Sequence, residues 1–137
     1  CGTYANGAIE MAPFKVSAQA NRVPVMDGHL GSVSVKLRQS ATAEEVIALF
    51  QTWQPPEIVR DLPTMPEQVF IYRPEANRPQ PRLDRDAGHG LAWTVGGVRH
   101  CPVNDIRFLA ITHNTLRGAA SGSVLNAELL VKQGFIQ

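Results

Sequence analysis

At 137 residues, 44% of them hydrophobic, the chain has one domain's length and enough apolar mass for a single buried core. Its 13 Lys+Arg against 12 Asp+Glu leave a net charge of +1, so no long-range field draws it to nucleic acid or an anionic membrane. No apolar run approaches the roughly 18 residues a spanning helix needs, and the first residues carry no basic-then-apolar leader, which makes a cytoplasmic address the default expectation.

In chain order, the opening stretch up to about residue 13 begins "GTYANGA", small and turn-forming, and reads as a loop or frayed end. The start at Cys1, followed so soon by strand-like chain, reads as a piece of something longer. "FKVSAQA" alternates Phe14, Val16, Ala18 and Ala20 against polar residues, the period of a half-buried strand. Pro24 and Asp27-Gly28 mark a bend, and "GSVSVKLR" resumes the alternation with Val33, Val35 and Leu37. "TAEEVIALFQTW" predicts a helix: Thr42 and Glu45 make a capping box, Val46, Leu49, Phe50 and Trp53 share one face, and Pro55-Pro56 ends it. A proline-rich stretch then holds one short apolar run, Val69 to Tyr72. "GLAWTVGGVRHCPV" and "DIRFLAITHNT" read as two strands, and "LRGAASGSVLNAELLVKQGF" as a closing helix with Val124, Leu125, Leu129 and Val131 spaced for burial. The expected class is α+β or α/β, with a mixed, largely antiparallel sheet and helices on one face.

Several groups could do chemistry. Arg22 offers a donor fork suited to a carboxylate, and His29 an imidazole able to move a proton near neutral pH; both would face one pocket if a strand and a bend placed them together. The plainer alternative is a surface charge and a turn histidine. His89 between glycines and His100 beside Cys101 fit structural or solvated positions, while His113 and Asn114 precede a small-residue helix start that a ligand could approach closely. "RLDRDAG", residues 82–88, reads either as a solvated loop knit by local ion pairs or as a subunit contact. Cys1 and Cys101 sit in no C-x-x-C spacing and read as free thiols; no His, Cys and carboxylate set has metal spacing, and no metal is expected.

Taken together, "VSAQANRVPVMDGHLGSVSVKL", "NRPQPRLDRDAGHGLAWTVGGVR" and "THNTLRGAASGSVLNAELL" resemble the C-terminal portion of aspartate-semialdehyde dehydrogenase in its fungal and archaeal-like branch, from about Phe14 to Leu130. The resemblance implies the catalytic and dimerisation domain of glyceraldehyde-3-phosphate-dehydrogenase-like enzymes over residues 14–115, and over 116–137 a helix that returns to the nucleotide-binding domain. It implies NADP-dependent reduction of aspartyl 4-phosphate to aspartate 4-semialdehyde and phosphate, on the route to lysine, threonine, methionine and isoleucine, in a homo-oligomer acting on small molecules. By the family's motif Arg22 would clamp the substrate α-carboxylate and His29 would be the acid/base, with Asn114, Gly118 and Ala119 touching the nicotinamide end of the cofactor.

The family's Ser-Asn-Cys nucleophile motif and its N-terminal glycine loop do not occur in these 137 residues, and neither Cys1 nor Cys101 matches the nucleophile. The chain by itself is therefore expected to be inactive and to bind cofactor poorly. Two alternatives remain open: a portion of N-acetyl-glutamyl-phosphate reductase, which shares the cysteine chemistry, or a non-catalytic dimerisation module.

Overall fold

The computed structural model describes residues 2–136, so Cys1 lies outside it. Its centre is a four-stranded sheet in the order β3-β6-β5-β4, built from β3 (His29–Val35), β4 (Phe70–Arg73), β5 (Trp93–His100) and β6 (Ile106–Thr112). β3/β6 and β6/β5 are antiparallel, while β4 runs parallel to β5. Mixed and largely antiparallel was the expected form, although the helices do not all share the one face expected, since the short helix at Pro81–Asp84 lies on the side away from the helix at Ala43–Thr52. β6 is central and carries Ile106 and Ile111, both essentially inaccessible, as β5 carries Val95.

The helix predicted from "TAEEVIALFQTW" forms as α1 (Ala43–Thr52), and its capping box closes as the spacing requires: Glu45 N–H donates to Thr42 Oγ1 at 3.2 Å and Thr42 N–H to Glu45 Oε2 at 2.8 Å. α1 turns Phe50 onto Phe70 and Phe108 edge to face, with Trp53 against Phe70, so aromatic packing fixes it to one side of the sheet. Leu49 stays mostly exposed. The short α3 (Pro81–Asp84) reaches the opposite side, where Pro81 and Arg85 stand near Gly28 and Ile111. Between α1 and β4 the chain makes one more turn of helix, α2 (Glu57–Arg60).

Three expectations need correction. Residues 2–11 are not a frayed end but a hairpin, β1 (Gly2–Ala5) and β2 (Ala8–Met11), joined by Asn6-Gly7 with both residues at positive φ. That is the two-residue turn for which Asn-Gly is the best-suited pair, and the dipeptide was the available signal. The strand expected over 14–20 does not form: residues 12–28 are irregular and almost wholly exposed, Phe14 and Val16 included. Alternation specifies two faces, but a strand also needs a partner for its backbone, and β3 pairs only with β6 among the described residues. Finally, the closing helix is two pieces, a wide π-type turn (Leu116–Ala120) followed by α4 (Ser121–Lys132), and it buries none of its residues. Val124 and Val131 are exposed. α4 is tied instead to the segment after α2, where Thr64 donates from its backbone N–H and its Oγ1 to the Glu128 carboxylate at 3.1 and 2.5 Å.

Candidate functional site

His29 opens β3, opposite Thr112 at the end of β6, and its side chain is exposed. The residue before it is the tightest point in the region. Gly28 is buried with φ +104°, and a Cβ there would stand 3.1 Å from Ile111 Cδ1 and 3.2 Å from Arg85 Cβ. Only glycine holds that backbone conformation without strain while lying so close to its neighbours. Its N–H donates to Asn114 Oδ1 at 2.8 Å, joining residues 86 positions apart. The two stretches singled out around Arg22–His29 and around Asn114 therefore meet in space at Gly28.

Asn114 is held from its other side. His113, buried beside it, uses Nδ1 to accept the N–H groups of Thr115 and Leu116, each at 3.3 Å, and its Nε2 faces Asp86 Oδ1 at 3.8 Å. The ring caps the π-type turn, which has no other side-chain cap. Its place before a helix start thus serves the backbone. Thr112 Oγ1 donates to Ala92 O at 3.2 Å, fastening the end of β6 to the start of β5.

Arg22 stands apart from this arrangement. It is exposed on the irregular segment, and among the described residues no hydrogen bond or ion pair ties it to His29 or to anything else. The hairpin expected to present the two side chains together is absent, because its first strand is absent.

Gly118 and Ala119 line a cavity of about 460 Å³ between the start of α4 and the α2 segment, with Val59, Leu62 and Met65 on the far wall. Arg117 lines it too. The Arg117 Nη1 is buried without a hydrogen-bond partner among the described residues, and burial pushes its pKa down. No sequence signal distinguished this arginine from its neighbours.

The "RLDRDAG" segment is more than a solvated loop knit by local ion pairs, because one of its carboxylates is buried. Asp84 is 2% exposed and gathers Arg78 in a two-point hydrogen bond, Nε at 2.7 Å and Nη2 on the other oxygen, together with Gln80 N–H at 2.6 Å. Arg73 Nε adds a contact at 3.6 Å. Burial pushes the Asp84 carboxyl up, but the Arg78 and Gln80 bonds and the charges of Arg78 and Arg73 outweigh it and hold the group below the ordinary carboxylate range. Only Arg85–Asp86, at 3.3 Å, is the surface pair that the charge pattern implied. The buried hub went unread because its strongest partner, Arg78, lies outside the seven-residue motif.

Cys101 is free and buried at the β5–β6 turn. The N–H groups of Asn104 and Val103 hold its thiol below the ordinary value in spite of its burial, with Ser34 and Arg107 adding in the same direction. Yet it sits at the Ile106 end of β6 and His29 at the Thr112 end, six residues or roughly 20 Å away. It cannot share a reacting atom with that imidazole. His89 is exposed at positive φ, and His100 is exposed at the end of β5, as their positions implied. Among the described residues no group of three His, Cys, Asp or Glu could hold a metal.

A family profile described as semialdehyde dehydrogenase, dimerisation domain, matches residues 2–117. The chain belongs to that family. Its relatives include the aspartate-semialdehyde dehydrogenases of Archaeoglobus fulgidus, 47% identical over 98% of this chain and 38% of the relative, and of Cryptococcus neoformans, 41% identical over 90% and 34%. The chain thus spans little more than a third of the curated relatives it matches. The crystal structure of the Candida albicans aspartate-semialdehyde dehydrogenase with NADP superposes with a TM-score of 0.80 at 36% identity, over 89% of this chain and 35% of that one. A Vibrio cholerae aspartate-semialdehyde dehydrogenase II, complexed with ASA, gives 0.62 at 29% identity, over 81% and 29%. The family assignment agrees with the resemblance read from the three motifs, and the mixed sheet is the fold it implied.

Proposed function

We propose that the chain is the C-terminal part of an NADP-dependent aspartate-semialdehyde dehydrogenase, supplying the carboxylate clamp and the acid/base to a site whose nucleophile lies elsewhere in the parent protein. The observation that carries this reading is the Gly28–Asn114 bond, which brings two of the three family-like motifs to one point beside an exposed imidazole. His29 presents a proton donor and acceptor at the edge of the sheet, where a substrate oxygen can be protonated or deprotonated as a thiol adds to or leaves the aldehyde carbon. Arg22 offers the guanidinium fork for the substrate α-carboxylate. Its segment is unanchored in this chain, so the clamp takes shape only when the rest of the active site covers it.

Toward the cofactor, the fit is partial. Exposed Gly118 and Ala119 open onto a cavity, and a Cβ on Gly118 would meet only His113 O at 3.8 Å, so a flat ring can approach. With its oxygen taken by Gly28, Asn114 has its amide NH2 left to donate to a ligand. When bound, NADPH supplies the hydride; its phosphates would need a cradle that these residues do not make. The intact enzyme is a homo-oligomer in this reading, consistent with the dimerisation-domain family and with exposed Phe14, Val16 and Met26, which a second protomer or the remainder of the subunit would cover. A cytoplasmic address, where small soluble substrates are at hand, is part of the same reading.

The deciding experiment uses the full-length enzyme that contains this chain. His29→Asn should lower kcat with little change in KM, and Arg22→Leu should mainly raise KM for aspartate semialdehyde, by about 2–5 kcal/mol if the pair is well desolvated. Negligible effects of both would return them to surface roles. Preference for N-acetyl-glutamate semialdehyde would assign the parent to the related reductase instead. The 137-residue chain alone should give no phosphate-dependent NADPH formation from aspartate semialdehyde.

A further inference from the structure

A buried backbone N–H must find an acceptor, and at Gly28 the acceptor comes from a side chain 86 residues away. Because the donor is a peptide N–H, the Asn114 atom facing it is the carbonyl oxygen, which fixes the orientation of that amide. The carbonyl's own position is set by the end of β6 and by His113, whose ring holds the next turn through Thr115 and Leu116. On the other side of the same peptide, Gly28 is packed against Ile111 and Arg85 with no room for a side chain. The residue leaving this grip is His29, whose backbone is then taken up in register opposite Thr112.

We infer that Asn114 is a positioning residue for His29: its carboxamide oxygen anchors the Gly28 N–H and so sets the direction in which the His29 imidazole leaves the sheet. This inference rests on the reading of His29 as the acid/base. It assigns Asn114 a task separate from touching the cofactor, and one amide can do both, its oxygen inward to Gly28 and its NH2 outward. The anchor acts one residue from the imidazole, six residues past Arg22, so it predicts a defect in proton transfer rather than in carboxylate binding.

Small displacements of a reacting group cost rate steeply, about a hundredfold for roughly an ångström. In the full-length enzyme, Asn114→Leu should lower kcat about 10- to 100-fold while KM for aspartate semialdehyde stays within about threefold, and the loss of the outward NH2 should raise KM for NADP separately. Asn114→Asp keeps an acceptor oxygen and should restore most of the rate. In a His29→Asn background, Asn114→Leu should cost less than about twofold more, since a misplaced imidazole and a missing one are equivalent. Amide exchange reads the anchor itself: Gly28 N–H should exchange at least about tenfold faster in Asn114→Leu, with the β5 and β6 amides unchanged.

Unchanged Gly28 exchange would overturn the anchor. Faster exchange with unchanged kcat would overturn the positioning role while leaving the acid/base assignment standing. A rise confined to the NADP KM would make Asn114 a cofactor ligand only. Full activity of His29→Asn itself would remove the acid/base reading, and the inference with it.

Discussion

Arg22 and His29 lie seven positions apart, yet the chain treats them oppositely. His29 follows a glycine buried against Ile111 and Arg85 and bonded to Asn114, and it enters a strand paired along seven residues. Arg22 sits in irregular chain where Val23, Val25 and Met26 are exposed, Met26 at 87%. The difference is that this chain holds the proposed proton carrier in place by itself and gives the proposed carboxylate clamp no anchoring contact among the described residues. A motif that reads as one unit along the sequence is, physically, one anchored half and one dependent half.

The comparison breaks most sharply where the anchored half is supported. Asp84→Ala would leave Arg78 and Arg73 facing a buried gap beside the Pro81–Arg85 wall of Gly28, and should destabilise the chain by about 3–5 kcal/mol in urea denaturation. Ile111→Ala removes a fully buried side chain in contact range of Gly28 and should cost about 2–5 kcal/mol by the same measurement. Gly28→Ala forces a side chain into a positive-φ site with two carbons near 3.1 Å, an expected cost of about 1–3 kcal/mol, together with loss of activity in the full-length enzyme. Thr42→Ala opens the α1 capping box, far from Gly28 in the chain, and should cost about 1 kcal/mol without moving the Gly28 amide in an NMR spectrum. On the dependent half, Val16→Ala or Met26→Ala should change stability by less than about 0.5 kcal/mol in the isolated chain. A large effect there would show that the segment is anchored after all.

Acid sharpens the same contrast. The folded-state pKa of Asp84 lies below its ordinary 3.8, so its stabilisation is present at neutral pH and is lost as the pH falls through 3.8 toward the folded value. Asp105, bonded to Lys36 and to Leu37 N–H at the other end of β3, is displaced the same way. The urea midpoint should therefore decline between about pH 5 and pH 2, and Asp84→Asn should flatten that decline. Asp84 is the buried one of the two, with its charge screened least, so its variant should show the larger change.

Much of the scaffold was legible in order. α1 declared itself by a reciprocal cap and a proline stop, both local interactions that need nothing beyond a dozen residues, β3 by the alternation through Val33 and Val35, and β4, β5 and β6 by apolar stretches between turn residues. The hairpin at Asn6-Gly7 was legible too, through a dipeptide whose positive-φ tolerance the small-residue reading passed over. The candidate site was half legible. The family motifs pointed to Arg22, His29, Asn114, Gly118 and Ala119, but no spacing along the chain could tell that Asn114 turns its oxygen to Gly28, nor that Gly118 and Ala119 open on a cavity shared with Arg117.

What the sequence by itself determined was the chemistry available and the local elements, because caps, turns and alternation are set by neighbours a few residues apart. Only the tertiary structure decided which alternating stretch became a strand, which aspartate was buried, and which half of the motif was held. Those outcomes depend on partners distant in the chain: β6 for His29, Asn114 for Gly28, Arg78 for Asp84, and none within the described residues for Arg22.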